Sequence, residues 1–247
     1  MTFKVRGKVP QASLSNRFEA FVPGTTDWLR EKVALRLQES VELLQRNVSV
    51  GVEDAGEFFF PSPQRFVGKT GFAEEEMLSL AREFAEKAKG FDLVLLLGGD
   101  HAGGLLLYSL PGAVARFDQH SDACATPQKC GNEVSRNNYV CAAVRSGLKR
   151  EGEIIGVGVR EGQACYPLAA HAKNCSVFDI DLDVLSPQYG VQTEYNKGKL
   201  SPQDIVGAIR SNRPKAIGIF EVVKGDGKAA EVAATFAVEA AIAAAKR

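Results

Sequence analysis

Six short runs are apolar over most of their length rather than at alternate positions: VSVGV (48–52), FDLVLLL (91–97), AVARF (113–117), IIGVGV (154–159), CSVFDID (175–181) and AIGIFEVV (216–223). A strand that is apolar on both faces has to be covered on both faces, which points to a parallel sheet with helices packed on each side. The intervening segments have helical period. TTDWLREKVALRLQESVELLQR opens on a Thr cap, and FAEEEMLSLAREFAEKAKG has acids in its first turn and a Gly after its last lysine. SPQDIVGAIRS has Ser201 as N-cap and Pro202 at the first helical position, and an Ala-rich segment from Lys228 to Arg247 reads as a closing helix. The expected fold class is α/β, three layers in the order α-β-α around a mostly parallel sheet. With 247 residues and 45% hydrophobic content, residues 1–247 are expected to form one domain with a full core.

Thirty basic residues balance thirty acidic ones, so no global field draws the chain onto nucleic acid or an anionic membrane. MTFKVRGKVP lacks the apolar region of a signal peptide, and no apolar run approaches the roughly 20 residues that span a bilayer; the expectation is a soluble, cytoplasmic protein. Five cysteines, an odd number without C-x-x-C spacing, argue against a disulfide framework or a thiolate zinc site and for buried thiols. GVGVREG (156–162) is not a dinucleotide-binding loop, because its glycines lie inside a strand and lack the required spacing.

The irregular stretches are 53–70, 123–138 and 184–200, and two of them follow strands that end in acids. In open α/β sheets, ligands sit in the crevice beyond the carboxyl ends of the strands. Three clusters fall there. LLLGGDHAGG runs a strand into two glycines, Asp100 and His101; FDQHSDA puts Asp118, His120 and Asp122 at every second position; FDIDLDVLSP does the same with Asp179, Asp181 and Asp183. On an extended strand, positions i, i+2 and i+4 share one side, so each triplet can reach a common point. Carboxylates at the end of a buried run need cations or must take up protons. Each cluster alone also reads as a polar turn or a solvated strand end. Together they offer imidazoles and carboxylates without thiolates, a set suited to Mn²⁺, with Co²⁺, Zn²⁺ or Fe²⁺ as alternatives.

These motifs resemble those of the ureohydrolase family, which includes arginase, agmatinase and formiminoglutamase. The family's successive signatures correspond here to GGDH (98–101), DQHSD (118–122), DLDVLSP (181–187) and GIFEVV with Glu221. The resemblance runs from about Phe91 to the C-terminal helix and implies an arginase-like fold with two Mn²⁺. It implies that His101, Asp118, Asp122 and Asp181 hold one ion and that His120, Asp118, Asp181 and Asp183 hold the other. Asp122 would orient a metal-bridging hydroxide that attacks the guanidinium carbon, and Glu221 would grip the guanidinium. The partner implied is a small cationic guanidino or amidino substrate, cleaved at a linear guanidino, amidino or formimino C–N bond, and the assembly implied is a homo-oligomer, a trimer or hexamer.

Asp179 stands where the family has a small or apolar residue, and is expected to support a ligand from behind or to face solvent. Cys130 replaces the family's proton-shuttling histidine, and as a thiol it is a weak shuttle near neutral pH. Ser186 replaces an aspartate, and the Asn that arginases place soon after D-x-H-x-D is missing. Asn132, Glu133, Arg136, Asn137 and Asn138 are candidate substrate contacts, most of them expected to be ordinary surface residues, and His171 is a substitute proton carrier. Two alternatives therefore stand beside the hydrolase: a metal-binding homologue with impaired turnover and a regulatory or structural role, and, more remotely, a single-zinc deacetylase-like use of the fold.

Overall fold

The computed structural model describes residues 2–8, 32–33, 35–36, 49–54, 64–66, 69–123, 130–160, 162, 164–193, 197–223 and 225–245. The helix expected over 25–46 falls outside these, except that Lys32, Val33, Leu35 and Arg36 are helical. The strands are β1 (Thr2–Lys8), β2 (Ser49–Asp54), β3 (Gln64–Phe66), β4 (Lys69–Ala73), β5 (Leu93–Leu97), β6 (Val114–Phe117), β7 (Glu133–Val134), β8 (Ile154–Val157), β9 (Leu168–Ala169), β10 (Val177–Asp181) and β11 (Ala216–Phe220). The α-helices are α1 (Glu74–Ala88), α2 (Gly104–Tyr108), α3 (Tyr139–Arg145), α4 (Pro202–Asn212) and α5 (Gly227–Ala245).

Eight strands form one sheet in the order β2-β1-β5-β11-β10-β6-β8-β9, and every pairing in it is parallel. The pleat sorts side chains to two cores. Leu93, Leu95, Leu97, Phe117, Phe178, Ile180, Ile217 and Ile219 pack on one face with α4 and α5. Val94, Leu96, Val114, Val177 and Phe220 pack on the other with α1, α2 and α3. Each fully buried Leu or Ile contributes about 1.5–3 kcal/mol, which is why both faces must be covered. The expected three-layer arrangement is what the chain adopts. No helix among the described residues is long and apolar enough to cross a membrane.

Local differences from the sequence reading have physical reasons. Thr2–Lys8 is not among the strands expected from apolar runs; charged residues interrupt its apolar ones, yet it pairs with both β2 and β5. Phe72 and Ala73, expected in a helix, instead extend β4 against β7, and α1 starts at Glu74 with three acids in its first turn. Helix α4 starts as expected: the Ser201 side chain accepts from the Asp204 amide at 3.1 Å, and Asp204 accepts in return from the Ser201 amide.

Strands β5, β11, β10 and β6 are consecutive neighbours, so their carboxyl ends open onto one crevice. Gly98 to His101 follow β5, Glu221 follows β11, Asp181 closes β10, and Asp118 follows β6.

Candidate metal centre

The cluster at 118–122 converges by a different route from the one expected. Strand β6 stops at Phe117, so Asp118, His120 and Asp122 are not successive positions of a pleat. Asp118 accepts from the His120 amide at 2.6 Å, which curls the chain, and Asp122 takes a left-handed backbone with φ +43°. Likewise β10 ends at Asp181, whose carboxylate accepts from the Asp183 amide at 2.8 Å and starts a single 3₁₀ turn. Glu221 is also left-handed, with φ +58°. Non-glycine residues hold this conformation at a cost of about 1–3 kcal/mol, and such strain concentrates at functional sites.

The expected ligands come together in two overlapping groups. His101, Asp118 and Asp181 present ligand atoms within 4.8 Å of one another, and so do Asp118, His120 and Asp183. Asp118 belongs to both. His101 Nδ1 lies 2.9 Å from Asp181 Oδ2, 3.2 Å from Asp118 Oδ2 and 3.4 Å from Asp122 Oδ2. Although these distances are short, Nδ1 makes no hydrogen bond of acceptable angle; it points between the carboxylates rather than along any of them. His120 Nδ1 lies 2.8 Å from Asp183 Oδ2 and 3.6 Å from Asp118 Oδ1.

The other nitrogen of His101 fixes the ring. Nε2 lies 2.9 Å from Asp179 Oδ1 and 2.8 Å from the Tyr139 hydroxyl, while the hydroxyls of Tyr139 and Tyr108 donate to Asp179 Oδ2 at 2.6 and 3.1 Å. Asp179 is fully buried and supports His101 from behind; the solvent-facing alternative does not hold. If a metal ion took the place of the second ring proton, the proton left on Nε2 would be shared with Asp179 and the Nδ1 lone pair would face three carboxylates. That arrangement calls for a cation between them, as in carboxylate–histidine–metal triads. The donor set therefore fits a divalent ion.

The ionisation of the metal-free cage agrees. Burial opposes charge on His101, but the neighbouring carboxylates of Asp179, Asp118 and Asp181 outweigh it and hold its pKa well above the ordinary histidine range. Burial also opposes charge on His120, yet Asp118 and Asp183 raise it to about 10. Burial pushes Asp122 up to about 7, against the pull of Arg116, and Glu221 up to about 8, against that of Arg136. Asp118 is the exception: Arg116 overcomes burial and holds it well below the carboxylate range. Protons thus occupy positions that a metal ion would neutralise.

A cavity of about 360 Å³ opens over the cage, walled by His101, His120, Asp122, Asp181, Asp183, Glu221, Arg136 and Asn137, among others. Of the loop candidates, Arg136 and Asn137 reach this cavity. Asn132 is exposed, Glu133 lies in β7, and Asn138 is spent on Ser135 and Glu133. Ser186 precedes a 3₁₀ turn and its amide donates to Leu200. His171 is exposed and lines a separate cavity with Phe117 and Asn212, so it is not placed to serve this one.

Cys130 requires a correction. It is disulfide-bonded, whereas Cys141, Cys165 and Cys175 are free thiols. A disulfide has no proton to give, so the thiol shuttle considered from the sequence does not exist in this state.

The sequence reading missed Arg116, which is completely buried beneath the site. Its Nη2 donates to Asp118 and, at 2.6 Å, to Asp122 Oδ2; Nε donates to the Tyr139 hydroxyl at 3.0 Å, and Nη1 to the Tyr166 hydroxyl at 3.1 Å. A single arginine in an otherwise apolar strand was the available signal. Gly98 matters through packing: a Cβ there would lie 2.7 Å from the Phe220 ring, which stacks on His101 with centroids 5.0 Å apart. Gly98→Ala is expected to cost about 1–3 kcal/mol of stability by overpacking, read by chemical denaturation; a change under about 0.5 kcal/mol would contradict this packing account.

Solved structures of low sequence identity share this architecture. Arginase from Bacillus caldovelox superposes with a TM-score of 0.71 at 14% identity, covering 96% of this chain and 97% of that one. Proclavaminate amidino hydrolase from Streptomyces clavuligerus gives 0.73 at 15%, covering 99% and 92%. Formimidoylglutamase from Bacillus subtilis gives 0.68 at 13%, covering 97% and 87%. No protein-family model and no curated protein matches the sequence. The chain has the arginase-like α/β fold.

Proposed function

We propose that the protein is a metal-dependent hydrolase of a linear guanidino, amidino or formimino C–N bond. The observation that carries this reading is the pair of ligand groups sharing Asp118 on the floor of a cavity whose wall includes Glu221. In this reading His101, Asp118, Asp122 and Asp181 hold one ion, and His120, Asp118, Asp181 and Asp183 the other. The oxygen-rich set favours Mn²⁺, with Co²⁺, Zn²⁺ or Fe²⁺ as alternatives. When bound, the pair of ions would supply Lewis acidity that brings the pKa of water toward about 7.

The chain's own residues supply the remainder. Glu221 receives the cationic head of the substrate, a role foreshadowed by the chain itself: the Arg136 guanidinium already stands 3.8 Å from its carboxylate. Asp122, aimed into the cavity by its left-handed backbone, takes the proton of the attacking water and passes it to the departing nitrogen. The bond made is from water oxygen to the amidine carbon, and the bond broken is from that carbon to the leaving amine. Buried Asp179, Tyr108 and Tyr139 hold His101 in the tautomer that leaves Nδ1 unprotonated for an ion.

Glu221→Gln keeps the shape and removes the charge. It is expected to lower kcat/KM by about 10- to 100-fold through a lost charge-assisted contact, with metal content unchanged. Equal kinetics in the two proteins would remove Glu221 from substrate binding.

The disulfide at Cys130 favours a second reading, a homologue with impaired turnover, because no thiol or imidazole stands at that position. Hydrolysis by the unaltered protein would reject it. The homo-oligomer expected of such a protein is measured by light scattering.

A further inference from the structure

Arg136 is the single arginine or lysine that lines the cavity over the cage. Its Nη1 stands 3.8 Å from Glu221 Oε2, longer than a hydrogen bond. Glu221 is buried, whereas Arg136 and its neighbour Asn137 keep contact with solvent at the same cavity.

The main chain at Arg136 is pinned. It lies in the turn between β7 and α3, where the Asn138 carboxamide accepts from the Ser135 amide at 2.8 Å and donates to the Glu133 carbonyl at 3.0 Å. The Tyr139 amide donates to the Ser135 carbonyl at 3.0 Å, and Val134 and Tyr139 on either side are fully buried. The long side chain of Arg136 is the part left to move. In the proposed reading Glu221 receives the cationic head of the substrate, and that head meets a guanidinium already in place. Two cations at one buried carboxylate repel more strongly than in water, so the head displaces Arg136. The displaced guanidinium stays charged, and its pinned main chain keeps it at the cavity. The other acids of the wall, Asp122, Asp181 and Asp183, belong to the cage. The counter-charge that Arg136 then lacks has to come from the far end of the substrate.

We propose that Arg136 is the specificity-determining residue of this site: in the free protein its guanidinium occupies the head-group position at Glu221, and on binding it moves onto an anionic tail, so the substrate joins a guanidino, amidino or formimino head to a carboxylate. A cavity of about 360 Å³ lies at the small end of ligand sites, which run from about 300 to 1,000 Å³, so head and tail are linked by a short chain. This inference rests on the reading of Glu221 as the head-group receptor and narrows its substrate class.

The test uses compounds with one head and one short alkyl chain that end in a carboxylate, an amine or a methyl group, in a guanidino series and a formimino series. Binding to the Mn²⁺-loaded protein is read by calorimetry, and turnover by product release. The carboxylate is expected to bind about 10- to 100-fold more tightly than the amine, with kcat/KM in the same order, the scale of a charge-assisted pair. In Arg136→Met this preference should vanish and the methyl compound should bind more tightly than it does to the wild type, because the internal competitor is gone. Arg136→Lys should keep a weakened preference. A merely structural role would weaken all three compounds together in Arg136→Met. Should a variant fail to fold, the wild-type order decides alone. An amine bound as well as the carboxylate by the wild type, or a preference unchanged in Arg136→Met, would overturn the inference, and hydrolysis of any compound would leave the reaction standing. Carboxylate-selective binding without hydrolysis would uphold the inference and overturn the reaction, and no binding of any compound would overturn both.

Discussion

Asp118→Asn is expected to abolish metal binding in both ligand groups and to lower hydrolysis by on the order of 10⁴-fold, the scale set by losing metal activation of water. Asp118 is the residue common to the two groups, and Arg116 holds it ionised when other carboxylates of the cage keep protons. Asparagine preserves the volume and keeps one acceptor oxygen, which can face Arg116, while the His120 amide loses its partner, so the fold is checked alongside activity. An alanine would instead strand the guanidinium, at a cost of about 3–5 kcal/mol, and confuse the two effects. The check is metal content and product release on one folded preparation, with circular dichroism as the control. A variant that binds two ions and turns over normally would mean that Asp118 is not the bridge.

The second large effect is on stability. In the metal-free chain, Asp122 at about 7 against 3.8 and Glu221 at about 8 against 4.5 keep protons that the unfolded chain releases. His120, at about 10 against 6.5, does the same at higher pH. Wherever the folded state binds more protons, stability falls as pH rises. The His120 contribution is fully present below pH 6.5 and lost as pH climbs through about 10; the two acids cost stability progressively above their unfolded values. The slope is about 1.4 kcal/mol per pH unit for each proton separating the states, and each kcal/mol shifts Tm by about 2–4 °C in a chain of this size. In the proposed metal reading an ion would replace these protons, so metal affinity is expected to rise with pH as well. The Tm of the chelated protein should therefore fall between pH 5 and pH 9 while the gap to the Mn²⁺-loaded protein widens. A gap that is constant, or that narrows with pH, would contradict the proton-for-metal exchange.

The sheet was legible because its strands carry their own signal. Leu93–Leu97 and Ala216–Phe220 are apolar on both faces, and nothing but a covered parallel sheet accommodates several such runs. The clustering of His101, Asp118 and Asp181 was legible for a related reason: a buried strand ending in Asp or His has to explain its charge. The route by which they converge was not. The period of two suggested a continuing strand, whereas hydrogen bonds from the His120 and Asp183 amides to Asp118 and Asp181 turn the chain after each strand end.

The support beneath the site was invisible for a different reason. Tyr108, Tyr139 and Tyr166 come from α2, α3 and the loop before β9, and the fold alone brings them to Asp179 and Arg116. Arg116 and Asp179 are register partners on neighbouring strands β6 and β10, a pairing that becomes visible with strand order. Each looked anomalous alone, a charge inside an apolar run, and together they form a buried network. The disulfide at Cys130 was unreadable from an odd count of cysteines without regular spacing.

The most direct measurement is product release by the Mn²⁺-loaded protein from a panel of linear guanidino, amidino and formimino compounds, scored for urea, ammonia, formamide and the departing amine. The account predicts release from at least one compound, lost on chelation, restored by Mn²⁺ and absent in Asp118→Asn. Loaded protein that releases nothing from the whole panel across pH 6–10, or release that persists after the metal is removed, would contradict it.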